Sequence, residues 1–261
     1  MIPKVIHYCW FGNNPKPESF TKCFKSWKEK CPDYEIVEWN EENIDFSTCP
    51  LYVKQAYETE NWAFVTDYVR LKIVYENGGI YLDTDVELKK RLDRLLKYNA
   101  YFGFQDKNEI NTGLGFGAIK HSKAVRDMME FYKTARFVLE DGTYDITACP
   151  ERNTDSLLKY GLKRNGRKQI LEGNILILPP VYLCPINYWT GKHRHSIKTI
   201  SVHWFSASWR TEEHRNIHWD YVKKKTREER RDYIQHIPNR VLMRIIGTDN
   251  YNKIKRRLKS R

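Results

Sequence analysis

The stretch Phe64–Glu87, FVTDYVRLKIVYENGGIYLDTDVE, decides the architecture, because a helix pattern, a glycine pair, a short apolar run and two carboxylates follow in turn. Val65, Val69 and Ile73 recur at helical spacing, and Gly78-Gly79 stands where such a helix would stop, since glycine tolerates the left-handed cap conformation. Ile80, Tyr81 and Leu82 then read as a short buried strand. Asp83-Thr84-Asp85 falls at its carboxyl end, where open α/β sheets collect their ligands. Two acids one residue apart at a strand end can aim oxygens at one hard cation, and a divalent ion bridging phosphates is held by few carboxylates. The first expectation is therefore a metal-diphosphate site.

Upstream, Pro3–Phe11 (PKVIHYCWF) reads as a buried strand that runs into the Gly12-Asn13-Asn14-Pro15 loop. Trp10 at its end is a core aromatic on spacing alone; the alternative is a platform on which a base stacks. Ser19–Lys30, with Phe20, Phe24 and Trp27 on one face, reads as a helix and Tyr34–Trp39 as a second strand, so the chain opens as a βαβ unit. Leu51–Tyr57 looks helical. Asp67 and Arg70 share a helix face, and the local reading is a surface ion pair of little energetic weight.

Downstream, Ala100–Phe104 reads as a strand. The glycine-rich Asn111–Gly117 lacks the lysine of a phosphate-cradling loop and reads as strand-edge backbone that passes close to something. Ser122–Val138 reads as one amphipathic helix, Thr147–Thr154 as a proline-marked loop, and Ile175–Leu178 as a buried strand stopped by Pro179-Pro180. Ile200–Phe205 is the last strand, in which His203 reads by default as a hydrogen-bonded core histidine. The polar loop Ser206-Ala207-Ser208-Trp209 follows.

With 261 residues, 41% of them hydrophobic and 14% aromatic, the chain is globular and long enough to bury a sizeable core. No apolar run approaches the roughly 20 residues of a membrane-spanning helix, and MIPKVIHYCW enters a strand pattern without a signal peptide. Cytoplasmic placement is the expectation. The six cysteines show no CxxC spacing, which favours reduced thiols over disulfides or zinc. Of the net +12, the segment Arg210–Arg261 carries +9, from 16 Lys+Arg against 7 Asp+Glu. The expected division is a domain over 1–209 and a basic helical extension over 210–261. In the extension Ile237, Val241, Ile245, Ile254 and Leu258 mark apolar stripes, which suit either packing on the domain or an anionic membrane surface at the inner face of the cell membrane.

Three segments in order resemble one family, the DXD-containing retaining glycosyltransferases of family 32, which include capsular-polysaccharide enzymes and initiating mannosyltransferases of the yeast type. The segments are IPKVIHYCWFG, DYVRLKIVYENGGIYLDTDVE and VHWFSASW, spanning Ile2 to Trp209. The glucosyltransferase domain of large clostridial toxins is more distantly similar. The resemblance implies an α/β fold of the GT-A type with a Rossmann-like mixed sheet. It implies that Trp10 stacks on the base, that Asp67 and Arg70 contact donor sugar and diphosphate, and that Asp83 lies near ribose and donor sugar. Asp85 would coordinate Mn2+ or Mg2+ directly, with Asp83 and His203 beside it. Ile6, Cys9, Tyr81, Thr84, Asn111, Ser206, Ser208 and Trp209 are the further donor contacts so implied. The Thr147–Thr154 segment resembles a family Thr-Gly-Pro loop, with Ala148 where glycine is usual.

The function so implied is metal-dependent transfer of a hexose from a nucleotide-diphospho-sugar, UDP-Gal or UDP-Glc, with retention. The acceptor would be a glycan or an undecaprenyl-linked oligosaccharide, as in capsular polysaccharide synthesis. Two alternatives stand beside it. A sugar nucleotidyltransferase calls for a basic, glycine-rich loop after the first strand, which Phe11-Gly12-Asn13-Asn14-Pro15 does not supply. A nucleic-acid binder is motivated by the basic tail alone, and no nucleic-acid partner is expected.

Overall fold

β1 (Val5–Cys9), α1 (Glu18–Lys30) and β2 (Glu35–Trp39) form the expected βαβ opening, with the two strands parallel from Val5↔Glu35 to Cys9↔Trp39. α2 (Leu51–Glu58) and α3 (Trp62–Asn77) follow, and β3 (Gly79–Tyr81) then pairs parallel with the other side of β1. The remaining elements are β4 (Val86–Leu88), β5 (Ala100–Gly103), β6 (Phe116–Ala118), α4 (Lys123–Glu130), α5 (Cys149–Leu158), β7 (Gln169–Leu171), β8 (Ile175–Leu178), α6 (Pro180–Leu183) and β9 (Ser201–His203), with short 3-10 turns between. This computed structural model describes residues 1–188, 190–194 and 196–206, and all of these except Thr190 and Gly191 fall in one compact unit. The division anticipated at 209/210, the basic extension, Ser208 and Trp209 lie outside the described residues.

Among the described residues, seven strands form one sheet in the order β2-β1-β3-β6-β5-β8-β7, and β4 pairs with β9 in a separate ribbon. β6 and β7 run against the other strands of the large sheet, so the fold is the mixed α/β architecture expected. Neighbouring residues of a strand face opposite sides. Tyr81, Phe102, Phe116 and Ile177 join Tyr52, Val69 and Met128 of the helices on one face. Ile80, Leu82, Tyr101 and Leu176 join Phe20 and Trp27 of α1 on the other. Burying each such side chain stabilises the fold by about 1.5–3 kcal/mol, which explains why the strands can be so short.

α3 ends where its glycines stand. Gly78 has φ 70° and donates its N–H to Val74 O at 2.8 Å, closing the last turn. Gly79 has φ 101°, and a Cβ there would meet His7 Nε2 at 2.8 Å. His7 is 2% exposed, and its Nδ1 accepts from the Trp39 indole at 3.1 Å, so its Nε2–H donates to Gly78 O at 2.9 Å. This buried histidine ties β1, β2 and the helix cap together, and it does so as a neutral ring.

β4, β7 and α6 have no counterpart in the sequence reading, and two expected elements take another form. The amphipathic helix expected over Ser122–Val138 stops at Glu130 and passes into a 3-10 turn over Phe131–Lys133. Gln55 Oε1 of α2 accepts the backbone N–H of Phe137 at 2.9 Å and of Val138 at 3.2 Å, taking donors that a continuing helix would pair within itself. Conversely, the loop expected over Thr147–Thr154 is the start of α5. Pro150 sits in its first turn, where a missing N–H costs nothing. All six cysteines are free and buried. Among the described residues no helix is long and apolar enough to cross a membrane.

His7 provides a test of this packing. Burial pushes its pKa below the ordinary 6.5 more strongly than the Gly78 contact raises it. The unfolded chain takes up a proton near pH 6.5, so the stability of the neutral ring is complete above about that pH and is lost as pH falls toward the folded value. Between about pH 7.5 and about pH 5.5, the melting temperature of the wild type should fall further than that of His7→Gln. Equal falls would show that the buried ring is not titrating against the fold.

Candidate functional site

β3 emerges beside β1, and Leu82 N donates to His7 O at 3.0 Å before the chain leaves the sheet at Asp83. A turn follows, closed by Val86 N on Asp83 O at 3.0 Å, and β4 begins. Asp83 and Asp85 thus occupy the gap between a strand of the large sheet and a strand of the ribbon. β9 pairs antiparallel with β4 so that Val86 stands opposite His203. His203 Nε2 lies 3.2 Å from Asp85 Oδ1 and 3.6 Å from Asp83 Oδ2. One ligand atom from each of the three residues falls within 4.8 Å of the others.

α3 precedes β3 and runs back along it, so its first half reaches the edge where Asp83 lies. Asp67 and Arg70 are both buried there, which overturns the reading of a surface pair. Arg70 Nη2 contacts Asp67 Oδ1 at 2.9 Å, Nη1 faces Asp83 Oδ2 at 3.5 Å, and Nε donates to Thr66 O at 3.1 Å. The guanidinium also lies 5.3 Å from the Tyr81 ring centroid. Burial, with the Asp83 charge beside it, pushes the Tyr81 hydroxyl well above its ordinary pKa, so it stays protonated.

The electrostatics differ across this cluster. Burial raises the Asp67 carboxyl, and the pull of Arg70 only partly offsets it. Burial would raise Asp83 too, but Arg70 and His203 together hold it below its ordinary value. For His203, burial lowers the pKa, and the neighbouring Asp85 and Asp83 charges more than reverse that, leaving it raised.

Ser206 N and Ser206 Oγ donate to Asp85 Oδ2 at 2.8 and 3.1 Å, and Trp204 N donates to Asp85 O at 3.1 Å. The turn that allows this places Phe205 at φ 53°, an uncommon conformation for a bulky residue. Phe205 N donates to His203 Nδ1 at 3.3 Å, which puts the neutral ring's proton on Nε2, facing the carboxylates. Two carboxylates and an imidazole converging from three segments suit a divalent cation such as Mn2+. Ligation through Nε2 needs the other tautomer, so the Phe205 contact would then open.

The other expected residues are placed as follows. Trp10 is part-exposed just beyond β1, and its indole N–H donates to Asn14 O at 2.7 Å. Thr84 is part-exposed between the two acids. Asn111 accepts from Gly113 N at 2.7 Å and donates to Gln105 Oε1 at 3.1 Å. Ile6 and Cys9 are buried, each inside a hydrophobic core cluster. Sequence reasoning missed Glu87 and Cys149. Glu87 accepts from Trp204 Nε1 at 3.0 Å and so holds the turn after His203, while the Cys149 thiol donates to Asn111 Oδ1 at 3.9 Å. Both stand in segments that carry the family resemblance, DYVRLKIVYENGGIYLDTDVE and Thr147–Thr154, which was the one signal toward them.

Because Arg70 neutralises two acids inside the protein, its removal leaves buried charge uncompensated. Arg70→Leu is expected to lower folding stability by about 3–5 kcal/mol, measured by urea denaturation at neutral pH. A loss below about 1 kcal/mol would mean that the cluster behaves as a solvated pair.

Comparison with known proteins bears on the same segment. Residues 17–102 match the family model described as a glycosyltransferase sugar-binding region containing a DXD motif. Inositol phosphoceramide mannosyltransferase 3 of Schizosaccharomyces pombe is 39% identical over 123 residues, 44% of this chain and 33% of that protein. The chain therefore matches only about a third of that relative's length. An uncharacterized glycosyltransferase of Acanthamoeba polyphaga mimivirus is 23% identical over 202 residues, 74% of this chain and 77% of that one. Among solved structures, the PaToxG glycosyltransferase superposes with a TM-score of 0.47 at 16% identity, over 60% of this chain and 69% of that one. The segment similar to that glycosyltransferase sugar-binding region, residues 17–102, is the one that holds Asp83 and Asp85.

Proposed function

We propose that the chain transfers a hexose from a nucleotide-diphospho-sugar to a hydroxyl of a glycan or lipid-linked acceptor. The observation that supports this most is the convergence of Asp83, Asp85 and His203 beside the buried Arg70, with both aspartates inside the matched segment. Asp85, Asp83 and His203 would hold the cation, Mn2+ or Mg2+. When bound, it supplies positive charge at the departing diphosphate.

The chain's own groups divide the remaining work. Arg70 carries a permanent charge toward the same point, and burial strengthens its stabilisation of negative charge on the leaving oxygens. Asp67 and Thr66 O orient that guanidinium, so no reorganisation is needed as charge develops. Trp10 offers a ring to the base, Thr84, Asn111 and Ser206 line the donor, and the buried Tyr81 bears on it through Arg70, whose guanidinium faces its ring. Ile6 and Cys9 can contribute through backbone atoms only, because their side chains are buried. Retention of configuration rests on the family resemblance. We assign donor handling to 1–209 and association with an anionic membrane surface at the inner face of the cell membrane to the basic 210–261, supported by the +9 charge of that segment.

The donor carried from the sequence is UDP-Gal or UDP-Glc. The name of the mannosyltransferase relative favours mannose as a second reading. Release of free nucleotide from UDP-Glc, UDP-Gal, UDP-GlcNAc, UDP-GalNAc and GDP-Man, with and without Mn2+, separates the two. One donor should turn over only with Mn2+ present, and Asp85→Asn should abolish that turnover. Absence of metal-dependent turnover with every donor would overturn the proposal.

Ser206→Ala should weaken Mn2+ binding by about tenfold, the lower end of the range for groups that orient a ligand, as its backbone N–H still holds Asp85. Isothermal titration of wild type and variant with Mn2+ measures this directly.

A further inference from the structure

Gly113 stands in a 3-10 turn, Thr112–Leu114, that leads into β6 and passes against the charged cluster. An ideal Cβ on Gly113 would lie 2.4 Å from Asp83 Oδ2, 2.9 Å from Arg70 Nη1 and 3.0 Å from Asn111 Oδ1. The first two approaches are closer than side chains allow. Gly113 is not among the residues with positive φ, so glycine is required here for space and not for backbone conformation.

The turn has little freedom to retreat. Asn111 N donates to Gly103 O at 3.1 Å, and Ile110 N donates to Thr154 Oγ1 at 2.8 Å. Asn153 Nδ2 donates to Thr112 Oγ1 at 3.0 Å, so α5 holds the turn from its far side. Thr112 and Leu114 are fully buried on either side of Gly113. Added volume at Gly113 must therefore be relieved by the Asp83 carboxylate or the Arg70 guanidinium. Asp83 Oδ2 is the oxygen that faces both Arg70 Nη1 and His203 Nε2.

We propose that Gly113 is a positioning residue for Asp83: the turn backbone is a backstop that keeps Asp83 Oδ2 between Arg70 and His203. Its consequence for a cation rests on the reading of Asp83, Asp85 and His203 as the ligand set. A methyl group at Gly113 swings Asp83 out of that set, and the loss is specific to the bulk of residue 83.

The test is a mutant cycle on the full chain, read by Mn2+ titration and by thermal unfolding in metal-free buffer. Gly113→Ala should weaken Mn2+ binding about 10- to 100-fold and lower the melting temperature. In an Asp83→Ala background the same substitution should cost much less in melting temperature, because the clashing carboxylate is gone. In an Asp83→Asn background, where the side chain keeps its size, the full cost should return. Equal costs in all three backgrounds, or a Gly113→Ala protein with wild-type Mn2+ affinity and melting temperature, would overturn the proposal. If the wild type binds no Mn2+, the ligand reading fails, and the thermal cycle still decides the contact between Gly113 and Asp83.

Discussion

The Arg70 guanidinium is a full positive charge inside the protein, and removing such a charge from water costs several kcal/mol unless it is closely paired. Asp67, Asp83, the Thr66 carbonyl and the Tyr81 ring together supply that pairing. Each partner comes with an element attached. Asp67 and Thr66 require the first half of α3 to reach the edge of the sheet, and Asp83 requires β3 to end there. The lowered Asp83 and raised Asp67 follow from the same arrangement, since Asp83 also faces His203 while Asp67 has burial against it.

The two acids are held from both sides by unrelated means. Upstream, β3 lies inside the large sheet. Downstream, β4 is fastened to α1: Trp27 Nε1 donates to Val86 O at 2.7 Å, and Ser26 Oγ accepts from Leu88 N at 2.9 Å. A short segment spanning two anchored strands has few conformations open to it, so the carboxylates are oriented without a ligand being present. The ribbon partner β9 then delivers His203, and the Glu87 contact to Trp204 fixes where the chain turns back toward Asp85. Orientation of this kind is what electrostatic stabilisation of a leaving group requires, because the groups are in place before charge develops.

Much of the framework was legible because it rests on local pattern. The alternation around Ile80 and Tyr81, the helical spacing of Val65, Val69 and Ile73 and the glycine pair reflect backbone geometry that holds wherever the segment packs. The glycine-rich Asn111–Gly117 does pass close to another group, the Asp83 and Arg70 pair at Gly113, but as a 3-10 turn leading into a strand paired on both sides and not as a strand edge. The misreadings share a cause. The helix after Ser122 was cut short by Gln55, a residue far away in sequence, and the turns of α5 are bonded to Ile110 and Thr112. Local propensity carries no information about such partners.

The sequence by itself determined the opening βαβ unit, the helix and strand of the central stretch, the strand end that bears Asp83 and Asp85, and the helix face shared by Asp67 and Arg70. These follow from periodicity, which depends on neighbours within a few residues. Only the tertiary structure decided that the ion pair is buried, how closely His203 approaches the two acids that the resemblance set beside it, and that Gly113 and Glu87 serve the same cluster. Those facts depend on strand pairing across more than a hundred residues, as between Val86 and His203, and on the exclusion of water, which no local pattern encodes.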